Sequence, residues 1–449
     1  MWNRRQAGLQ GSTNGEGLQA HAKPASAGTR SGQPANQIKC ARWCGVCMVW
    51  IYFIAGTVLP RLLHLPQIVV TIASILALLF ATGISIISGG KWRWSWLIVL
   101  VAFACGISQS EQFASSALHW LGLALVIVAV GPVIQNRVAT ELRSAAWRLS
   151  VSGLTGLTAI FVIWYVLHLP SLGAIGSFGF SSFMNHCMLL GPIAGMGVVI
   201  AFARAMHGRS WRWGLLAALG IIPVLASSSR VATLATVAGV CFLLVRRKPL
   251  LGLGAVVICC IAIVAFVSRG RDMDSDSKSL TGGMAYKGNV NSRTELWGDR
   301  VLEFKSSPLV GIGIAMATGN GASVEENGNI RAEPGSSYLA VLAMTGAIGT
   351  IAFCWALGFL WFQFIVSRQI AGLEKDILSV VGIYLAVHGL AEGWILSFGS
   401  PLCFLFWLWL GNIGDAALQP VRAIAKRRLP APQRFRSLQP GLRPSATDL

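Results

Sequence analysis

Apolar residues run along this chain in blocks long enough to cross a bilayer, not in the short alternations of a soluble core. Twelve such blocks cover residues 43–60, 66–88, 94–108, 113–132, 149–168, 183–203, 213–229, 231–246, 249–268, 336–366, 377–397 and 400–418. A crossing helix takes about 20 predominantly apolar residues, which most of these blocks supply. The third and eighth are short, the seventh and eighth meet almost without a connection, and 336–366 is long enough to tilt or to extend beyond the lipid. Only helices and closed barrels satisfy every backbone polar group in hydrocarbon. The pattern therefore predicts an all-α, polytopic integral membrane protein with about twelve transmembrane helices. It divides as follows: a disordered tail over 1–42, nine spans over 43–268, one large loop with short helices over 269–335, three spans over 336–418, and a basic tail over 419–449.

Composition agrees. The chain is 54% hydrophobic and 12% charged, with a mean hydropathy of +0.63. A soluble domain carries about 25% charged residues. The net charge of +19 would suit a nucleic-acid binder, but its placement excludes that reading. Of the 36 basic residues, 26 fall in alternate connections beginning with the N-terminus. Basic residues collect in cytoplasmic loops. Both termini are thus expected in the cytoplasm and 269–335 on the outer face, which in a bacterium is the periplasmic side of the inner membrane. That loop is nearly charge-balanced, with eight bases and nine of the chain's 17 acids. None of the ten cysteines lies in it, and no spacing among them has the form of a zinc site.

Within the loop, Arg271 to Asn289 is polar, and Ser292-Arg293-Thr294-Glu295 reads as a capping box opening a short helix through about Lys305. Pro308 ends it, and Glu333-Pro334-Gly335 turns the chain into the tenth span.

Five groups of residues could carry chemistry. Arg230 follows Ser227-Ser228-Ser229 at the outer end of the seventh span, where a cation is either functional or a snorkelling anchor. Arg293 and Arg300 are seven residues apart and share a helix face with Trp297 between them, a set suited to a diphosphate and a sugar ring. Ordinary surface pairs to Glu295, Asp299 and Glu303 would explain the same residues. His388 and Glu392, at i and i+4 on the eleventh span, are an intramembrane pair with either a functional or a packing role. Asn185 and His186 form a similar pair at the outer start of the sixth span. Glu325, Glu326 and Glu333 lie just before the tenth span. The loop has no histidine, so a carboxylate, best placed at Glu333, or an intramembrane histidine would have to accept a proton from an attacking hydroxyl. No P-loop, dinucleotide fingerprint, HExxH or GxSxG occurs, and no expected cytoplasmic connection is long enough for a nucleotide-sugar domain.

Three stretches together resemble the O-antigen ligase and polysaccharide polymerase family of bacterial envelopes. They are Ser227-Ser228-Ser229-Arg230-Val-Ala-Thr-Leu-Ala, Asn-Ser-Arg293-Thr-Glu-Leu-Trp297 followed by Ser-Pro308-Leu-Val-Gly-Ile-Gly313, and Ser336-Ser337-Tyr338-Leu339 leading to Thr-Gly346-Ala-Ile-Gly349. The resemblance covers about residues 180–365, and the rest by topology. It implies a GT-C-like transferase that takes a glycan from an undecaprenyl-diphosphate carrier and joins it to an acceptor sugar at the periplasmic face, without cofactor, metal or nucleotide. It also implies that Arg230 and Arg293 hold the departing diphosphate, with Tyr338 at the start of the matching span. Ligases of this family usually carry His-Asn before the motif that here reads Ser337-Tyr338-Leu339, and this chain has Gly335 and Ser336 there. That departure favours a repeat-unit polymerase over lipid A-core ligation. The expected partners are the lipid-linked glycan, the bilayer and other polysaccharide assembly proteins. Two rival readings are a flippase or transporter of the same lipids, expected to show internal repeats, and a non-catalytic component of an export complex.

Overall fold

The computed structural model describes residues 35–57, 59–62, 66–168, 182–184, 187–208, 210–258, 292–316, 322–324, 330–332, 335–367 and 372–418. Fourteen helices account for nearly all of the described chain. They are α1 (Ala35–Ala55), α2 (Leu59–Leu62), α3 (Gln67–Ile87), α4 (Trp94–Cys105), α5 (Phe113–Val130), α6 (Arg137–Leu167) and α7 (Cys187–Gly208). After them come α8 (Trp211–Ala226), α9 (Arg230–Arg247), α10 (Pro249–Ile258), α11 (Ser292–Ser306), α12 (Ser337–Val366), α13 (Leu373–His388) and α14 (Pro401–Leu418). Each of the twelve apolar blocks holds a helix over at least part of its described residues, with α13 ending at His388 inside block 377–397. Among the described residues, α1, α3, α5, α6, α7 and α12 are long and apolar enough to cross a membrane. The chain is a multi-pass membrane protein.

Lipid and core faces are separated along single helices. On α12 the exposed side chains Ile351, Trp355, Phe359 and Phe362 recur at three- and four-residue steps, while Phe353, Ala356, Leu360 and Phe364 are buried. The innermost helix is α14, whose residues from Leu402 to Leu410 are all buried. Trp407 meets Trp96 edge-on at 5.8 Å, and Phe353 at 6.2 Å. Lipid offers no hydrophobic drive between helices, so close approach through small residues matters instead. At Gly45 on α1 an added Cβ would lie 2.5 Å from the Leu142 carbonyl on α6.

Polar residues gather at one end of the bundle. There a two-residue strand β1 (Lys91–Trp92) pairs antiparallel with β2 (Ile134–Gln135). Arg93 donates to the Gly414 carbonyl at 2.8 Å, and burial pushes its pKa down to about 10 against the opposing pull of Asp415. Arg246 and Arg247, at the end of α9, both face Asp376 of α13. Arg143 is fully buried: it grips both carboxylate oxygens of Asp415 at 2.6 and 2.7 Å and donates to the carbonyls of Gly131 and Ile134 at 3.1 Å each.

Arg143 corrects an expectation. Residues 137–148 read as a connection, but α6 begins at Arg137, because the Asn136 side chain accepts from the Ala139 amide at 2.6 Å and caps it. The same side chain donates to the carbonyls of Ser85 and Gly89, fixing the α3 end beside it. Val138, Ala139, Leu142, Ala145 and Ala146 give the polar segment one buried face. Similarly, α1 starts at Ala35, inside the stretch assigned to the tail. The tail over 1–34 and the basic tail over 419–449 lie outside the described residues.

α12 contains a break. Gly346 has φ +62°, and its kink leaves backbone groups without helical partners. The segment following α11 supplies them: Ile312 and Gly313 amides donate to Ala343 and Met344 carbonyls at 3.0 and 3.1 Å, and Ala347 and Ile348 amides donate to Pro308 and Leu309 carbonyls at 2.8 and 3.0 Å. Irregular backbone in a bundle survives only where protein satisfies it in this way. Gly311, at φ +79°, allows the approach: an added Cβ would lie 2.5 Å from the Met344 oxygen. The loop also carries a feature the pattern did not predict, the antiparallel pair β3 (Ala322–Val324) and β4 (Ile330–Ala332).

Candidate functional site

The end of the bundle opposite the buried cations holds the sequence-nominated residues that can be placed. α8 and α9 reverse direction there through the three serines. Ser227 donates to the Val224 carbonyl at 2.7 Å, Ser228 takes a left-handed conformation at φ 54°, and the Ser229 hydroxyl accepts from the Ala232 amide at 3.3 Å. The serines are thus the material of a tight turn, buried at Ser227 and Ser229. Arg230 is the first residue of α9 and is exposed. A cation there sits at the positive end of a helix, and the combination draws anions.

α11 spans Ser292–Ser306, matching the predicted short helix and its stop before Pro308. Its face divides in a way the spacing did not reveal. Trp297 is 39% exposed, and its indole donates to the Gly335 carbonyl at 3.3 Å. Arg300 is 1% exposed, pairs with Glu303 at 2.9 Å and donates to the Met316 carbonyl at 3.2 Å. Burial lowers its pKa, opposed by Glu303 and Asp299. Its Nε and Nη2 have no hydrogen-bond partner among the described residues. Arg300 therefore ties α11 to the 311–316 segment, whereas Arg293 sits in the first turn of the helix and its side chain lies outside the described residues.

Next to Trp297, the start of α12 is held by the segment after α13. The Ser337 amide donates to the Gly389 carbonyl at 2.9 Å. Its hydroxyl donates to the Glu392 carbonyl at 2.7 Å and accepts from the amides of Trp394 and Ile395 at 3.0 and 3.4 Å. Tyr338 is 38% exposed, with its hydroxyl on the Ala386 carbonyl at 2.8 Å. Sequence reasoning missed Ser337 and Trp394 as organising residues. Ser337 stands in the quoted motif, but its partners lie more than fifty positions away, where no local signal reaches.

The expected i, i+4 pair of His388 and Glu392 on one helix is corrected. α13 stops at His388, capped by Gly389, and Glu392 lies in the non-helical stretch before α14. His388 is 2% exposed, and its Nδ1 accepts from the Trp394 indole at 3.0 Å. Its ring stacks on Tyr384 at 5.8 Å, and Tyr384 packs near Gly195 and Thr236 of α7 and α9. A chain of packed groups thus runs from the helix that Arg230 opens to the helix that carries Arg293: Thr236, Tyr384, His388, Trp394, Ser337, Gly335, Trp297. Asn185, His186, Glu325, Glu326 and Glu333 lie outside the described residues. Among the described residues, no group of three or more His, Cys, Asp or Glu side chains converges as a metal site would.

No curated protein matches this chain. Residues 215–354 match the family model described as O-antigen ligase, from the middle of α8 to the middle of α12. That stretch holds Arg230, Arg293, Trp297, Arg300, Glu333, Tyr338 and both halves of the Gly346 clamp. The match, with the resemblance in motifs, supports an O-antigen ligase or polymerase type for this segment and a membrane glycan-processing function.

Proposed function

We propose that the protein is a glycosyltransferase of the inner membrane that moves a saccharide from an undecaprenyl-diphosphate carrier to an acceptor sugar at the periplasmic face. Repeat-unit polymerisation is favoured over lipid A-core ligation, because Gly335 and Ser336 stand where a ligase carries His-Asn. The observation that carries the reading is the coincidence of the family match with one end of the bundle. The helix starts bearing Arg230, Arg293 and Tyr338 all fall inside residues 215–354, and the described ones gather away from the basic end.

The chemistry follows from charge. The bond between the anomeric carbon and the diphosphate oxygen breaks, the acceptor oxygen bonds to that carbon, and the acceptor's proton goes to a base. Charge grows on the diphosphate, and Arg230, Arg293 and the amides at their helix starts stabilise it. The energy resides in the glycosyl diphosphate, so neither metal nor nucleotide is needed. Glu333 takes the proton in this scheme. Trp297 offers its exposed face to a sugar ring. His388, buried with Nδ1 engaged, supports the frame, and Arg300 holds α11 in place. Asn185, His186, Tyr338 and Glu392 are assigned to substrate binding in this scheme.

The test is reconstitution in lipid nanodiscs with a purified lipid-linked repeat unit. A ladder of lengthened glycans is the expected product. Transfer only to a different acceptor would replace polymerase by ligase, and no transfer to either would remove the reading.

A further inference from the structure

A cavity of about 480 Å³ lies between α1 and α6, with an almost wholly apolar lining. Its walls come from Val49 and Phe53 on α1 and from Leu149, Leu157 and Ile160 on α6, and Phe183 and Met184 close one end. The one hydroxyl in the lining, on Thr57, is spent on the Ile54 carbonyl at 2.8 Å. The cavity has nothing to offer a sugar or a phosphate. Gly153 and Gly156 form part of the α6 wall, and an added Cβ at either would meet nothing within 4 Å. Trp50, Leu62 and Ile160 at its edge are 57%, 68% and 47% exposed, so the space communicates with the surroundings of the bundle. Both flanking helices are long and apolar enough to cross the membrane, which makes those surroundings lipid.

Its position gives the cavity a meaning. From Leu149 to Ile160 it follows α6 for about 16 Å at 1.5 Å per residue, roughly half the thickness of the hydrocarbon layer. It ends at Thr57 and Met184, which form a backbone bridge. The neighbouring Gly56 approaches Leu189 of α7 and Pro401 of α14 so closely that an added Cβ would lie 2.8 and 3.2 Å from them. Pro401 closes the segment that carries Glu392 and Trp394. The cavity therefore starts beside the candidate site and runs toward the bilayer centre.

Resting on the function proposed above, we infer that this cavity seats the isoprenoid tail of the carrier lipid. A diphosphate held at the site leaves its tail to run into the bilayer from that end, and the cavity is an apolar channel with that origin and direction. An isoprenoid also carries a methyl branch in each unit, and the open positions at Gly153 and Gly156 are notches that a branched chain fills and a straight acyl chain leaves empty.

Two measurements test this. In the first, purified protein in nanodiscs is irradiated with a diazirine-bearing polyprenyl phosphate. Labelling is expected within 149–160 and 49–57, reduced by unlabelled undecaprenyl phosphate and not by phosphatidylglycerol. Labelling elsewhere, or equal competition by phosphatidylglycerol, would overturn the assignment. In the second, Gly153→Leu/Gly156→Leu fills the cavity. KM for the undecaprenyl-linked donor is expected to rise at least about tenfold, as for roughly two methylenes displaced from an apolar site, while a donor carrying a single isoprene unit, too short to reach Gly156, reacts as with the unsubstituted protein. Equal effects on both donors, or none, would contradict it. If the unsubstituted protein transfers from neither donor, the proposed reaction fails, and the labelling experiment still decides the cavity.

Discussion

The hydroxyl of Ser337 donates to the backbone carbonyl of Glu392 across 2.7 Å, joining the first turn of α12 to the stretch that follows α13. The same oxygen accepts two amides, from Trp394 and Ile395. One small side chain thus terminates three backbone groups that have no helix to serve them. Ser337→Ala should leave two buried amides without that acceptor, at a cost of about 1–3 kcal/mol. The expected result is a lower unfolding midpoint in nanodiscs, with lost transfer activity as α12 and Glu392 separate. An unchanged midpoint would show that water or a shifted backbone replaces the hydroxyl.

The clamp between 308–313 and the α12 break depends on two glycines in left-handed conformation. Gly346→Ala and Gly311→Ala each add strain of about 1–3 kcal/mol, and each also pushes a Cβ to within 2.5 Å of the opposing backbone. Both should reduce folded yield. Gly358→Ala, on the same helix with open space around it, should keep or slightly raise stability. Comparing the three midpoints checks this, and equal values would contradict it.

Arg143 and Asp415 pose a buried-pair problem. Breaking such a pair from one side strands a charge, at about 3–5 kcal/mol, while replacing both partners by apolar residues is often neutral. Asp415→Leu should therefore lower the yield of folded protein more than Arg143→Met/Asp415→Leu. A double variant no better than the single would show that the carbonyls of Gly131 and Ile134 are what the guanidinium serves.

The two arginines of α11 should separate. Arg300→Met should lower the unfolding midpoint, because the buried guanidinium's bond to the Met316 carbonyl and its pair with Glu303 are lost. Arg293→Ala should leave the midpoint unchanged and remove activity. The reverse pattern would exchange their roles.

Much of this architecture was legible because lipid imposes a length. Each apolar block holds a helix over at least part of its described length, and the short helix α11 begins at the Ser292 that the capping pattern marked. What the sequence hid depends on distant partners. The Arg137–Arg148 segment looked like a loop because it is polar, and it is helical because one face packs against α1 and Arg143 finds Asp415 at the far end of the chain. α13 stops at His388 although the apolar pattern continues, because Ser337 and Trp394 draw the backbone out of the helix. Within the candidate site, the motifs nominated Arg230 and the Arg293 helix, but spacing alone could not tell an exposed residue from a buried one on the same helix, as Trp297 and Arg300 show.

The central claim is that guanidinium groups at helix starts carry the departing diphosphate. Steady-state transfer from a polyprenyl-diphosphate-linked repeat unit, measured in nanodiscs for Arg230→Ala and Arg293→Ala, tests it most directly. Loss of one such contact typically costs about 10²–10³-fold in turnover, so each variant should fall by that much with its unfolding midpoint preserved. Turnover within a factor of about two of the unsubstituted protein for both variants would contradict the claim.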